Sequence, residues 1–181
     1  MALKPTIYKA KINLSDINRD IYQTLSLTIA QHPSETLERM MVRVLAFCLN
    51  TTENLSFTKG LSAAEEPDII SKSLNDSITL WIDVGEPAVD RIKKATRVSE
   101  EVKIYSFNSK SSVWWQQNKS GFSDLNVSVF QVDWEEVKSL AKLVQRTMDL
   151  SVTCSENSVY FSSEQGDCEI NWLVLQSNSK T

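Results

Sequence analysis

Histidine is almost missing from this sequence. His32 is the single one in 181 residues, so histidine-based acid–base or histidine–metal schemes have little to work with. Cysteine is scarce as well. Cys48, Cys154 and Cys168 are an odd count without metal-ligand spacing, which argues against a zinc site and against a disulfide framework. With 4 Gly and 4 Pro there is little material for long flexible linkers. No apolar run approaches the ~18 residues that cross a bilayer, and the opening MALKPTIYKAKI lacks the apolar stretch of a signal peptide. The expectation is a cytoplasmic, reduced protein with no membrane partner and no small-molecule cofactor. Positive charge is not in excess either. The formal net charge is −4, so nucleic-acid binding would need a local basic patch.

What is present, 41% hydrophobic and 23% charged residues, is the composition of a folded domain. A chain of this length suits one domain over 1–181, expected as a monomer. Residues 1–30 read as a pair of antiparallel strands, with Ile7, Ile12 and Leu14 marking one arm and Leu25, Leu27 and Ile29 the other. HPSETLERMMVRVLAFCLN carries Leu37, Met41, Val44 and Cys48 at helical spacing, with Ser34 placed to cap and Glu35 in the first turn. A strand follows in NLSFTKGL, then the segment EEPDIISKSLNDSITLWIDVGEP, which reads as a hairpin. PAVDRIKKATRVSEE predicts a helix opened by Pro87, VKIYSF a strand, SKSSVWWQQNKS a helix, NVSVFQV a strand and DWEEVKSLAKLVQ a helix capped by Asp133. Residues 148–176 alternate like three short strands and form a C-terminal β addition, with turns near Glu156-Asn157 and Gln165-Gly166. The central order is α-β-β-β-α-β, an α+β fold with extra strands at both ends.

The hairpin holds two misplaced charges. Asp83 lies between Leu80-Trp81-Ile82 and Val84, and Asp is depleted in strands. With Asn75-Asp76 as a two-residue loop, Asp68 and Asp83 fall directly across from each other on one face. Like charges so placed destabilise a sheet, which makes sense if a cation lies between them. Oxygen ligands of this kind suit Mg²⁺ or Mn²⁺. A three-residue loop would shift the register and move one aspartate to the other face. The structural alternatives are a plain Pro-Asp turn for Asp68 and a strand-end cap for Asp83.

Three further features bear on this site. Glu38 flanks the apolar stripe of its helix and could point over the sheet, or it is a first-turn carboxylate favoured by the helix dipole. RIKKATR sets Arg91, Lys93, Lys94 and Arg97 within one stretch, with Ile92 and Ala95 toward the core and Lys94 outermost. It is either a solvated face or a source of a cation for a phosphate. In VWWQQN, Trp114 and Trp115 could stack on bases and Gln116 could bond base edges or phosphate, although aromatics at this spacing also build cores. His32, before the helix, reads as structural.

At these residues the sequence resembles a known group. A helix bearing Glu, a strand opened by Pro-Asp and a second strand with an acid resemble the PD-(D/E)xK nuclease superfamily. The stretches MALKPTIYKA, HPSETLERMM, FTKGL, EEPDI, LWIDVGEP, RIKKA, NSKSSVWWQQN and QRTMDL, which span nearly the whole chain, resemble the bacterial YaeQ family. That resemblance implies a compact variant of the restriction-endonuclease-like core, a mixed central sheet flanked by helices. It implies Glu38, Asp68 and Asp83 as the acids, with Asp68 and Asp83 holding the metal directly and Glu38 directly or through water. Gly85 stands where the motif has lysine. The family pattern moves that lysine into the next helix, leaving Lys93 or Lys94, of which Lys93 is nearer the buried side.

Two functions follow as expectations. One is a divalent-metal-dependent nuclease or nucleic-acid-processing hydrolase, with catalytic Glu38, Asp68, Asp83 and Lys93 or Lys94, and with Arg91, Trp115 and Gln116 on the substrate. The other is a non-catalytic interaction or regulatory protein that keeps the nuclease-like fold.

Overall fold

A computed structural model describes residues 4–59 and 64–178. The chain divides into two compact units, Met1–Leu49 with Asp133–Trp172, and Asn50–Val132 with Leu173–Thr181.

In the first unit, β1 (Thr6–Asp16) and β2 (Ile21–Gln31) pair antiparallel from Thr6↔Gln31 to Asp16↔Ile21. Ala10, Ile12, Leu14 and Asp16 alternate inward along β1, the period of two expected of a strand with one buried face. Ile7 is out of phase with that set and stays on the exposed face, contrary to its expected place in the apolar arm. The C-terminal strands β8 (Thr147–Ser155), β9 (Ser158–Ser163) and β10 (Gly166–Gln176) form an antiparallel meander. Its turns sit at the expected places, marked by positive φ at Glu156 and Gly166. β8 lies parallel to β1, so both terminal additions build one sheet in the order β2-β1-β8-β9-β10.

Two helices of this unit, α1 (Leu37–Leu49) and α4 (Trp134–Ala141), touch each other. Asp133 caps α4 as expected, its carboxylate accepting the Glu136 N–H at 3.0 Å. The start of α1 differs from expectation. Thr36, not Ser34, is the cap: its Oγ1 accepts the Arg39 N–H at 3.2 Å and its carbonyl the Met40 N–H at 3.1 Å. Ser34 instead closes a turn with His32, donating its N–H to Nδ1 at 3.1 Å. The reason is Glu35, which is buried and takes Arg43 at 2.5 and 2.9 Å and Arg39 at 2.5 Å. Arg43, also buried, donates in addition to the Ala30 carbonyl at 3.0 Å.

The second unit holds β3 (Leu55–Phe57), β4 (Ile69–Lys72), β5 (Ile78–Val84), β6 (Ser99–Ser106) and β7 (Val127–Val132), in the order β7-β6-β5-β4-β3. β3, β4 and β5 are antiparallel, whereas β5, β6 and β7 run parallel. Parallel neighbours need a crossover, supplied here by α2 (Val89–Val98) and α3 (Ser111–Phe122). The order α1-β3-β4-β5-α2-β6 is the central order expected from the sequence, in a mixed α+β architecture. Residues 60 and 61, which the sequence assigns to the end of β3, lie outside the described residues. α2 ends at Val98, earlier than expected, because Ser99 is already extended and pairs with Ile78. The core of this unit gathers Trp81, Ile92, Ala95, Val102, Ile104, Phe122, Val127 and Val129. α3 meets the start of α2 at Gly121, where a Cβ would lie 3.0 Å from both Val89 methyl carbons. The last residues of β10 belong here too, and Gln176 Nε2 donates to the carbonyls of Phe122, Leu125 and Val127.

The buried Glu35–Arg43 pair yields a stability prediction. Arg43→Ala leaves the buried Glu35 carboxylate with Arg39 but without its two bonds to Arg43, and urea unfolding is expected to show a loss of about 1.5–3 kcal/mol. Replacing both partners, Glu35→Gln with Arg43→Met, is expected to cost clearly less.

Candidate functional site

The hairpin turn is longer than the sequence suggests. Ser73 donates its N–H to the Ser77 carbonyl at 2.8 Å and Asp76 donates to Ser73 at 3.0 Å, which leaves a three-residue loop, Leu74-Asn75-Asp76. Asp76 takes the positive φ of 67° that closes such loops. Alone, this loop would shift the register and separate the two aspartates. A bulge at Ser71/Lys72 shifts it back: Lys72 pairs with Ile78, but Ser71 with Leu80, Ile70 with Trp81 and Ile69 with Ile82. Thr79, the extra residue, donates its hydroxyl to the Ser71 carbonyl at 3.1 Å. Asp68, Ile70, Trp81 and Asp83 therefore share one face, as expected, although by a different route.

Both carboxylates are buried, Asp68 at 6% exposure and Asp83 at 3%. Each is already engaged. Asp68 Oδ2 accepts the Val84 N–H at 2.8 Å, acting as a ladder acceptor for the end of β5. Asp83 is gripped by the guanidinium of Arg91, Nε to Oδ2 at 2.8 Å and Nη2 to Oδ1 at 3.2 Å. Arg91 also donates Nη2 to the Glu66 carbonyl at 2.7 Å and Nη1 to the Ala64 carbonyl. Its guanidinium carbon lies over the Trp81 ring, 5.7 Å from the centre. Burial pushes the Asp83 carboxyl above its ordinary range, and nearby Asp68 adds to this. The Arg91 fork pulls the other way without cancelling the rise. The bond to Asp83 holds Arg91 still more firmly in its cationic form.

The structure thus brings together Asp68, Asp83 and Arg91. Lys93 and Lys94 are exposed on α2, and the cation that reaches Asp83 is Arg91, two residues before Lys93. Glu38 is half-buried in the first turn of α1 and belongs to the other unit. Trp115 packs on Phe122, with ring centres 6.1 Å apart and planes 10° from parallel, and Trp114 packs on the same ring at 5.5 Å. Trp114 also bonds the Pro87 carbonyl at 3.1 Å, so both tryptophans serve the core. Gln116 is exposed.

Gly85 has a backbone reason for standing in the place of the motif lysine. Its φ is +117°, a conformation that residues bearing a Cβ rarely adopt, although a Cβ there would meet nothing within 4 Å. Conformation, not space, disfavours lysine. Glu86, which the sequence reading passed over, accepts the Asn108 N–H at 3.3 Å and the Ser111 hydroxyl at 3.2 Å, tying the end of β5 to the start of α3. Its only signal was a carboxylate between glycine and proline at a strand end.

Beside the acid pair the same strand face opens into a trough of about 560 Å³. Phe57, Ile70, Ile78 and Trp81 line it, along with the exposed side chains of Lys59, Lys72, Glu65 and Glu66.

The chemistry of two carboxylates suits a hard divalent cation, but their arrangement does not. Both Asp83 oxygens and Oδ2 of Asp68 already hold protein donors. Among the described residues no group of three His, Cys, Asp or Glu side chains is placed to hold a metal ion.

Comparison with known proteins gives a consistent answer along the whole chain. The family model described as YaeQ protein matches residues 1–172. "Uncharacterized protein YaeQ" of Escherichia coli (strain K12) is 40% identical over 181 residues, covering 99% of this chain and 100% of that protein. The Salmonella typhi protein of the same description is 39% identical over the same span. The crystal structure of YaeQ protein from Xanthomonas axonopodis pv. citri superposes with a TM-score of 0.92 at 33% identity, covering 96% of this chain and 99% of that one. The structure from Pseudomonas syringae gives 0.91 at 36% identity, with 96% and 97% covered.

Two measurements check this site. In a carbon-detected NMR titration Asp83 is expected to ionise above the ordinary 3.8, and Arg91→Met is expected to move its midpoint further up, because the guanidinium lowers it. The sign for stability follows: the folded site keeps a proton that the unfolded chain releases, so Asp83's contribution is full below the unfolded value and is lost as pH rises through the folded one. Separately, Gly85→Lys is expected to lower unfolding free energy by about 1–3 kcal/mol through backbone strain, and a midpoint unchanged in urea would contradict that account.

Proposed function

The chain belongs to the YaeQ family, and from that premise we propose that it is a non-catalytic interaction or regulatory protein that retains a PD-(D/E)xK-like scaffold. The scaffold reading is supported by the element order α1-β3-β4-β5-α2-β6, with an antiparallel hairpin leading into parallel strands and the acids on the hairpin. One observation carries the functional reading: Arg91 occupies both oxygens of Asp83 and is itself held by two carbonyls. A carboxylate so engaged is a structural anchor, and Asp68, bonded to the Val84 N–H, is another. On this reading recognition falls to the trough beside them. Its apolar lining, with two lysines and two glutamates around it, suits a partner with flat apolar groups and charges of both signs; with a nucleic-acid segment, Lys59 and Lys72 would be the residues to meet phosphate.

The second reading is divalent-metal-dependent phosphodiester hydrolysis, with Asp68, Asp83 and Glu38 as acids, Lys93 or Lys94 as the cation, Mg²⁺ or Mn²⁺ as the metal, and Arg91, Trp115 and Gln116 toward nucleic acid. The burial of two facing carboxylates favours it, because such pairs are costly to maintain and gather at functional sites. When bound, the metal would supply a lowered pKa for water and a counter-charge for phosphate.

A single panel separates the two. Single- and double-stranded DNA and RNA are incubated with the wild type and Asp83→Asn in Mg²⁺ and Mn²⁺, while binding is followed by fluorescence anisotropy. The first reading expects no turnover by either protein and weaker binding in the Lys59→Glu/Lys72→Glu variant. Turnover by wild type that disappears in Asp83→Asn would establish the second.

A further inference from the structure

The guanidinium of Arg91 sits against a buried carboxylate, and the atoms around it are of the kind that bind hard cations. Arg91 is surrounded by four oxygens: Oδ1 and Oδ2 of Asp83 and the main-chain oxygens of Ala64 and Glu66. Asp68 lies close enough to raise the affinity of Arg91 for its proton. All of these are oxygen donors, two of them on a buried carboxylate. Carboxylate and carbonyl oxygens are the ligands chosen by Mg²⁺, Mn²⁺ and Ca²⁺. The nitrogen-to-oxygen distances that are of ordinary length run from 2.7 to 3.2 Å, those of charge-assisted hydrogen bonds.

We infer that Arg91 is the resident cation of this cage, and that the cage admits a divalent ion only when the guanidinium is gone. The electrostatics favour this exclusivity. A guanidinium cannot shed its proton at any working pH, so its charge stays beside Asp83 whenever the side chain is in place. A divalent ion approaching the same carboxylate meets a like charge and finds both oxygens taken. The position is also clamped from several sides, since Arg91 links α2 to β5, to residues 64 and 66 and to the Trp81 ring. Removing it leaves Asp83 buried beside Asp68 without a counter-charge, a state that is strongly disfavoured unless a proton or another cation enters. The inference concerns the composition of the site and does not depend on whether the protein hydrolyses anything.

The experiment is Mn²⁺ titration, by calorimetry and by loss of the free-ion paramagnetic resonance signal, on the full chain. Wild type, Arg91→Ala and Arg91→Ala/Asp83→Asn are compared up to about 1 mM metal. Wild type is expected to show no site that depends on Asp83. Arg91→Ala is expected to gain one, tighter than any wild-type binding by about tenfold or more, and the double variant to lose it. Should Arg91→Ala fail to fold, Arg91→Gln keeps an amide donor for the Glu66 carbonyl while removing the charge. In either variant Mn²⁺ is expected to raise the melting temperature selectively. Asp83-dependent Mn²⁺ binding by wild type would overturn the inference, and so would the absence of any gain in both variants. Wild-type Mn²⁺ binding without turnover would sink this inference alone, whereas metal-dependent turnover would also remove the non-catalytic reading.

Discussion

The ion pair between Asp83 and Arg91 is the interaction on which the second unit depends. A carboxylate at 3% exposure costs several kcal/mol to bury and is tolerated only with a partner of matching geometry. Arg91 supplies that geometry through two parallel hydrogen bonds. Its remaining donors reach residues 64 and 66, so one side chain joins β5, α2 and the segment that leads into β4. Local shape near the acid pair follows from satisfying this one charge. The Trp81 ring beneath the guanidinium and the close approach of α3 to Val89 at Gly121 fix where α2 begins, and hence where Arg91 can reach.

The same principle governs the first unit in a different chemical setting. Glu35 and Arg43 are both buried and form a second ion pair, which also binds the Ala30 carbonyl at the end of β2. The stretch HPSETLERMMVR, which looks like a functional signature, is here largely the wiring of a helix entrance. His32 bonds Ser34, Thr36 caps, and Glu35 takes both arginines. Such motifs can be distinctive of a family because buried charge tolerates little substitution, without any chemistry being done there.

Two local facts bear on the acid pair of the hairpin. Position 85 has a backbone conformation suited to glycine, so a lysine two residues after Asp83 would be strained. The helical cation that arrives in its stead is Arg91, which is consumed in neutralising the acid, while Lys93 and Lys94 face solvent. Both acids of the hairpin are met by donors from within the protein.

Much of this was legible in the sequence, and the exceptions share a cause. Alternation along 6–16 and 147–176, the apolar stripe of α1, the Asp133 cap and the order of the central elements were set by local spacing and local capping. The facing of Asp68 and Asp83 was also legible, but through two offsetting errors: a loop one residue longer than expected and a bulge that restored the register. Bulges depend on pairing across strands and leave no short-range mark beyond the extra residue. The start of α1 departs from the expected place because the buried Glu35–Arg43 pair, two turns of helix apart, and not the nearest serine, decides it. Which basic residue meets Asp83 lay furthest from reach. Helical angles sorted Ile92 and Ala95 from Lys94 correctly, since burial on a helix is periodic. Choosing among Arg91, Lys93 and Lys94 required knowing how α2 crosses the sheet. That angle is set by packing between helices and strands far apart in the chain, and only the tertiary structure decides it.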